Sequence, residues 1–323
     1  MSPVIRTILG DIAPEKLGAT NMHDHLIREA GTVEVMHDKD FLMDDADKAA
    51  QELADFRDHG GGGFLDAQPI GCGRNIEKYL YIAGKVPEVP IIATTGFHKS
   101  EFYLPTHWVF DYSINEMVDL VLAEVYEGLE INEYSGPNIK RSKAKAGVLK
   151  CASSYQLVTK TEEKMIRAVS RAQKQCGLAI ITHTQQGTMG QAQVDLFKSE
   201  GLDMQRVVIG HIDRNPDPFM LLEIAAQGVY LEFDTPGRIK YQPESETVNC
   251  LKVLINAGHE DQIVLAGDNG RRSYLKSYGG GPGYSYIMEL FIPRLRKEGI
   301  REEVIQKMLV ENPRRILAFE PRK

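Results

Sequence analysis

The feature that most constrains the fold of this chain is a set of histidine, lysine and aspartate residues at the ends of apolar, strand-like segments. The set comprises His23, His25, Lys150, His183, His211 and Asp268. These residues are far apart in sequence, but a parallel barrel gathers the C-terminal ends of its strands around one mouth. We therefore predict that the six side chains meet at a single site.

Eight segments have the apolar character of buried parallel strands and are bounded by turn residues. They are residues 19–25, 63–66, 90–94, 146–150, 178–183, 206–211, 228–233 and 262–268. Helical patterns are predicted at 45–59, 113–129, 161–176, 190–200, 218–227, 247–257, 286–298 and 301–311, with a short turn at 313–319. This repeated alternation predicts a single α/β domain, a (β/α)8 TIM barrel spanning residues 1–323.

Composition narrows the classes of partner. The formal charge of −7 argues against nucleic acid and against an anionic membrane surface. No apolar run approaches the roughly 18 residues of a membrane span, and the N-terminus does not read as a signal peptide. The four cysteines show no CxxC spacing, which suits a reducing compartment. We expect a cytoplasmic protein that acts on a small molecule.

The donor chemistry indicates a hydrolytic metal centre. Side chains alternate along a strand, so His23 and His25 share a face and one metal can accept both. Asp268 ends the eighth strand, beside the first, and is placed to bind that metal and to accept a proton from bound water. Several imidazoles with a carboxylate are typical of hydrolytic centres rather than structural ones.

Lys150 leaves two alternatives open. An unmodified lysine is a cation and cannot bind metal, so Lys150 could be a surface residue at a strand end. If its amine reacts with carbon dioxide, the resulting carbamate offers two oxygens that can bridge two metals. Cys151, its neighbour, is predicted to face the opposite side of the strand.

Six motifs in order resemble the phosphotriesterase family of the amidohydrolase superfamily along nearly the whole chain. They are residues 7–18 followed by His23-Asp24-His25-Leu26, residues 146–150, Thr182-His183, Gly210-His211-Ile212-Asp213, Gly267-Asp268 and Asn312-Pro313-Arg314-Arg315. The resemblance implies a homodimer with two divalent ions, zinc first and manganese or cobalt as alternatives. It also implies a bridging hydroxide as nucleophile and Asp268 as the proton shuttle.

The resemblance assigns ligands position by position. One metal would be held by His23, His25 and Asp268, and the other by His183 and His211. Carboxylated Lys150 would bridge both. Asp66 and Asp213 are candidate partners that orient the metal histidines.

The loops after the last two strands indicate the substrate. Thr235 stands where the organophosphate-cleaving members of the family carry a histidine, which puts phosphotriester hydrolysis in doubt. The candidate phosphate-binding residues are Lys240, Arg271, Arg272 and Tyr274, in a pattern similar to a subgroup that hydrolyses lactones of phosphorylated sugar acids. The alternative is that these are solvated loop charges. His98 is predicted either to contact substrate or to pack within its loop.

We therefore expect a binuclear-metal hydrolase that opens the lactone of a phosphorylated sugar acid. The same-class alternative is a phosphotriesterase, carboxylesterase or amide hydrolase with incidental lactonase activity. The alternative from another class is a catalytically silent barrel that binds a phosphorylated metabolite.

Overall fold

The computed structural model describes residues 2–321, so Met1, Arg322 and Lys323 of the predicted 1–323 domain lie outside the described residues. Within that range the strands are β1 Ile5–Thr7, β2 Gly10–Ile12, β3 Ala19–Asp24, β4 Gly61–Asp66, β5 Ile91–Gly96, β6 Val148–Ser153, β7 Ile180–Thr184, β8 Val207–Ile209, β9 Tyr230–Phe233 and β10 Ile263–Leu265. The eight predicted strand segments correspond to β3 through β10. The antiparallel β1–β2 hairpin was not predicted.

The eight strands β3 to β10 form one parallel sheet in chain order. The backbone N–H of Asp268, just after β10, donates to the carbonyl oxygen of His23 in β3 at 2.8 Å. This bond joins the last strand to the first, and the predicted (β/α)8 barrel is confirmed.

Most helices pack around the outside of the barrel. The helices are α1 Val33–His37, α2 Ala46–Asp58, α3 Ile76–Lys85, α4 Ile114–Tyr126, α5 Lys160–Cys176, α6 Gly190–Ser199, α7 Pro218–Ala225, α8 Glu244–Asn256, α9 Ile292–Lys297, α10 Glu302–Gln306 and α11 Asn312–Leu317. Of these, α1 lies at the cavity of the barrel mouth and α11 packs against the inner core. None of the helices within residues 2–321 has both the length and the apolar character needed to cross a membrane.

Three helical features differ from the prediction, of which the first is the short helix α1, which was not predicted. Helix α3 was missed because its isoleucine and tyrosine residues favour strands as much as helices, although Asn75 caps it by accepting from the N–H of Lys78. The predicted helices 286–298 and 301–311 each contain a π-helical turn. Pro293 and Pro313 follow these turns, and a proline cannot donate the regular helical bond.

Alternation along the strands divides the apolar residues between two cores. Val148 and Ile181 point into the barrel, whereas their neighbours Leu149 and Ile180 pack against the helices. The same alternation turns Lys150 inward and places Cys151 in the outer core, as predicted. Polar side chains at the inward positions therefore reach the barrel mouth.

A substitution at Gly210, the residue immediately before His211, tests how closely the strands pack. A Cβ at Gly210 would lie 2.1 Å from the backbone oxygen of Thr182, so Gly210→Ala should lower the free energy of unfolding by about 2 kcal/mol or more. The matched control is Gly84→Ala in α3, where the new Cβ meets nothing within 4 Å. That change should raise the free energy of unfolding by roughly 0.5–1 kcal/mol. Urea unfolding measures the free energy of unfolding of both variants. Similar changes in the two variants would contradict the close packing at Gly210.

Candidate metal centre and active site

The four predicted histidine ligands meet at the mouth of the barrel. The ring centroids of His23 and His25 are 5.7 Å apart, and that of His211 lies 4.6 Å from His23 and 4.5 Å from His183. All four line one cavity of about 710 Å³. The structure thus brings together side chains from three different strand ends.

Lys150 and Asp268 complete the cluster. The Nζ atom of Lys150 lies 2.8 Å from Nε2 of His23, and Oδ1 of Asp268 lies 3.2 Å from Nε2 of His25. Lys150 is fully buried, and no carboxylate among residues 2–321 forms an ion pair with it. Burial lowers its pKa to about 8. A larger fraction of the amine is therefore neutral near pH 7 than in an ordinary lysine, and the neutral form is the one that reacts with carbon dioxide.

The backbone turns two of these side chains toward the cavity. His211 has φ of 58° and Asp268 has φ of 45°, both in the left-handed region. Val208 points into the barrel, so alternation alone would direct His211 outward. Such left-handed residues are costly and cluster at functional sites.

Hydrogen bonds fix the histidine tautomers. Oε1 of Glu232 lies 2.8 Å from Nδ1 of His23, and Asp234 is bonded to Nδ1 of His211. Because a carboxylate accepts the proton on Nδ1, the lone pair of each ring lies on Nε2. His183 has the opposite tautomer. Its Nε2 donates to Oε1 of Gln185 at 2.8 Å, so the lone pair lies on Nδ1.

Charge and geometry of this cluster fit a metal centre. Burial lowers the pKa of His25 to about 4 and those of the other three well below the ordinary value. The imidazoles are therefore neutral, as ligands must be. His23, His211 and Asp268 offer ligand atoms within 4.8 Å of one another. Nitrogen and carboxylate donors in this combination suit zinc and its neighbours in the first transition row.

Two arginines that were not predicted bind Asp268. Nη1 of Arg238 donates to Oδ2 of Asp268 at 2.8 Å, and Arg214 donates to the same oxygen. Both guanidinium groups also pair with Asp234. Burial opposes ionisation of Asp268, but the charges of Arg238 and Arg214 outweigh it and hold the pKa well below the ordinary value.

The prediction that Asp66 and Asp213 orient metal histidines is wrong. Asp66 accepts from the N–H of Leu26 at 2.7 Å, and Asp213 accepts from the N–H of Thr235 at 2.9 Å, so both hold loops. Glu232 and Asp234 contact the histidines instead. Glu232 and Asp234 follow Tyr230, which faces inward, at two-residue intervals. Residues at this spacing along a strand share a face, so the spacing is the sequence feature that could have identified them.

The predicted phosphate-binding residues divide into two groups. Lys240 lies 4.7 Å from the ring centroid of Tyr241 and 5.2 Å from that of Tyr274, and it lines the cavity with Arg271. Arg271 pairs with Asp38 across the rim. Arg272 instead pairs with Asp44 at 3.0 Å and is not among the residues that line the cavity.

His98 also lines the cavity, beside the donor cluster. Its ring stacks on Phe102 at 3.7 Å between centroids, and its Nδ1 accepts from the backbone N–H of Lys99 at 2.8 Å. The proton of the neutral ring is therefore on Nε2, so His98 is a hydrogen-bond donor.

Comparison with known proteins identifies the family. The model of the Phosphotriesterase family matches residues 3–317. The chain belongs to the phosphotriesterase family. A phospho-furanose lactonase of Mycoplasmopsis synoviae (strain 53) is 36% identical to it, over 98% of this chain and 92% of that protein.

Solved structures of relatives have the same fold. A crystal structure of an amidohydrolase from Mycoplasma synoviae superimposes with a TM-score of 0.96 at 36% identity, covering 100% of this chain and 94% of that one. A lactonase from Listeria monocytogenes gives a TM-score of 0.91 at 33% identity, with coverage of 98% and 99%.

The buried ion network around Asp268 predicts a stability difference between neighbouring cations. Arg238→Met should lower the free energy of unfolding by about 3 kcal/mol, because it removes one of the two guanidinium partners of Asp268 and Asp234 and leaves Arg214 as their one cationic arginine partner among the described residues. Lys240→Met, which removes a cation with no ion pair among the described residues, should change it by roughly 0.5 kcal/mol or less. Denaturant unfolding of the two variants measures the difference. Equal losses would show that Arg238 is not an essential partner of these carboxylates.

Proposed function

We propose that this member of the phosphotriesterase family is a hydrolase that opens the lactone ring of a phosphorylated sugar acid. The observation that carries the proposal is one cavity that joins a cluster of metal donors to a wall of cations. The names of the lactonase relatives in M. synoviae and L. monocytogenes support it. The size of the cavity, about 710 Å³, is within the range of small-molecule sites.

We propose that two divalent ions occupy the donor cluster, with zinc as the first expectation and manganese or cobalt as alternatives. His23, His25 and Asp268 would hold one ion, and His183 and His211 the other. Carboxylated Lys150 would bridge them. When bound, the ions supply Lewis acidity and make water nucleophilic near neutral pH.

The protein side chains orient the substrate and move the proton. Lys240, Arg271 and the Tyr274 hydroxyl would bind the phosphate group remote from the lactone, which makes the reaction effectively intramolecular. Asp268 would accept the proton released by water and deliver it to the ring oxygen as the acyl–oxygen bond breaks. Arg214 and Arg238 lower the basicity of Asp268, so its proton would be held only transiently.

The proposal also includes the cellular location and the oligomeric state of the protein. Cys72, Cys151, Cys176 and Cys250 are all free and buried, which supports a reducing cytoplasm. We also propose a homodimer, on family likeness alone.

One observation weighs against a phosphotriesterase. The Thr235 hydroxyl bonds to Asp213, so this position does not form a proton relay with Asp268. The competing functions are then a carboxylesterase, an amide hydrolase and a silent binding barrel.

The experiment that tests the proposal is a hydrolysis screen of purified, metal-loaded protein. Phosphorylated aldonolactones should be hydrolysed far faster than free aldonolactones, a paraoxon-type triester, a butenolide or an N-acyl amide. A preference for the triester or the amide would overturn the proposed substrate class. Phosphorylated lactones that bind without turnover would favour the silent barrel.

Lys150→Ala should lower the metal content of the purified protein well below the two ions per chain proposed for the wild type. Short-chain carboxylic acids should restore part of the metal, because they can supply the missing bridging oxygens. Elemental analysis measures this, and Lys240→Ala is the matched control that should keep its metal. Full metal occupancy in Lys150→Ala without added acid would rule out a bridging role.

Lys240→Ala should raise KM for phosphorylated lactones by about 10- to 100-fold, since it removes a charged hydrogen bond to phosphate. The KM for the unphosphorylated lactones should change little. Arg272→Ala is the matched control, because Arg272 lies outside the cavity lining. Equal effects of Lys240→Ala on both substrate classes would remove Lys240 from the phosphate site.

A further inference from the structure

The segment that follows α1 binds the side chain of Arg271. It forms one 3-10 turn, Lys39–Phe41, which Asp38 caps by accepting from the backbone N–H of Asp40 at 3.0 Å. Nη1 of Arg271 donates to Oδ2 of Asp38 at 2.5 Å and to Oδ2 of Asp40 at 3.4 Å. Two carboxylates that are two residues apart therefore bind the same nitrogen of the guanidinium group.

The ring of Phe41 lies against the guanidinium group of Arg271. Its centroid is 3.9 Å from Cζ of Arg271, and a guanidinium group at this separation is stabilised by the aromatic ring. The guanidinium group of Arg28 is 5.0 Å from the same centroid, and Nη1 of Arg28 donates to the carbonyl oxygen of Gly270 at 3.0 Å. Arg28 thus connects Phe41 to the residue immediately before Arg271.

The backbone after Arg271 is bonded to the same turn. Oδ1 of Asp40 accepts from the N–H of Ser273 at 2.8 Å, and Oδ2 accepts from the Ser273 hydroxyl at 2.6 Å. Arg272 pairs instead with Asp44 at 3.0 Å. The two neighbouring arginines are therefore bound by different carboxylates, and of the two only Arg271 lines the cavity.

The contacts of Arg271 leave one edge of its guanidinium group open. Nε and Nη2 form no hydrogen bond within residues 2–321, and neither is an enclosed atom. The side chain lines the cavity and is 26% exposed. The N–H groups of Nε and Nη2 are parallel, which is the geometry that binds two oxygens of one phosphate group. Arg271 is therefore oriented for a phosphate before the substrate binds.

The carboxylates of Asp38 and Asp40 have two opposite effects on a bound phosphate. Fixing an arginine side chain that would otherwise sample all its rotamers raises phosphate affinity by up to about 30-fold. Repulsion between exposed like charges lowers it by at most about 5-fold even at a separation of roughly 4 Å in water. Both carboxylates are partly exposed and both are paired with Nη1. The positioning effect therefore exceeds the repulsion.

We propose that Asp38, Asp40 and Phe41 are positioning residues of the proposed phosphate site, which hold Arg271 with Nε and Nη2 open to two phosphate oxygens of the substrate. This rests on the proposed function and extends it to the residues that prepare Arg271 for binding. The three residues act through Arg271, so recognition of the phosphate at one end of the chain depends on a turn near the other end.

Steady-state kinetics with matched phosphorylated and free aldonolactones test the proposal. Asp38→Ala should raise KM for the phosphorylated lactone by about 5- to 20-fold and leave kcat within roughly 2-fold, because the loss falls on binding. The kcat/KM for the free lactone should stay within about 2-fold. Asp38→Asn keeps an acceptor oxygen and the cap, so it should raise KM less. The matched control is Asp44→Ala, which releases Arg272 outside the cavity lining and should be silent with both substrates.

A double-mutant cycle separates positioning from a structural role. Arg271→Ala should raise KM for the phosphorylated lactone by itself. Adding Asp38→Ala to it should change KM by less than about 2-fold, because no guanidinium group remains to be positioned. Phe41→Leu should behave as Asp38→Ala does in both backgrounds. Independent effects of the paired changes, or an unchanged or lower KM in Asp38→Ala, would overturn the proposal.

Binding of a phosphorylated aldonic acid, the ring-opened product, gives a readout that does not depend on turnover. Its Kd, measured by calorimetry, should rise by about 5- to 20-fold in Asp38→Ala, whereas the Kd of the unphosphorylated acid should not change. A wild-type protein that fails to hydrolyse phosphorylated lactones would reject the proposed function, and the Kd values would then decide the positioning role alone. Equal Kd values of the wild type and Asp38→Ala for the phosphorylated acid would refute that role.

Discussion

The backbone bond from Asp268 to His23 closes the barrel, and the arrangement of the site depends on it. Two further bonds reinforce the closure: Gly267 donates to the side chain of Asn21 at 3.0 Å, and Asn269 donates to that of Asp24 at 2.8 Å. Together they fix the first and last strand ends side by side. Residues at opposite ends of the sequence are thereby held within hydrogen-bond distance.

Burial and charge then divide the cavity into regions with different chemistry. The histidines are neutral because they are desolvated, and carboxylates or an amide behind them set which nitrogen carries the lone pair. The guanidinium groups of Arg214 and Arg238 keep Asp268 ionised. Neither arginine is close to Asp268 in sequence. On the rim, Lys240 has aromatic neighbours but no ion pair among the described residues, whereas Glu34 is a carboxylate in a mostly cationic cavity. A substrate with an anionic group matches the cationic part of this cavity.

Much of the fold could be predicted because most barrel strands contain a short apolar run, and parallel topology follows from the alternation with helices. The candidate metal ligands could be named because they stand at strand ends. The π-helical turns and α3 escaped prediction, since they depend on local proline geometry and on tertiary packing. Arg214 and Arg238 were missed because nothing in a linear sequence shows that they reach Asp268. Arg272 and Arg271 look equivalent in sequence, and only the fold turns one of them away from the cavity.

Anomalous diffraction from a crystal of metal-loaded protein would locate the ions on which the proposed chemistry depends. We predict two ion peaks at the barrel mouth, one beside His23, His25 and Asp268 and the other beside His183 and His211. We also predict extra density on Nζ of Lys150 that reaches both peaks. Peaks elsewhere in the molecule, or an unmodified Lys150 remote from the ions, would contradict a binuclear centre at this site.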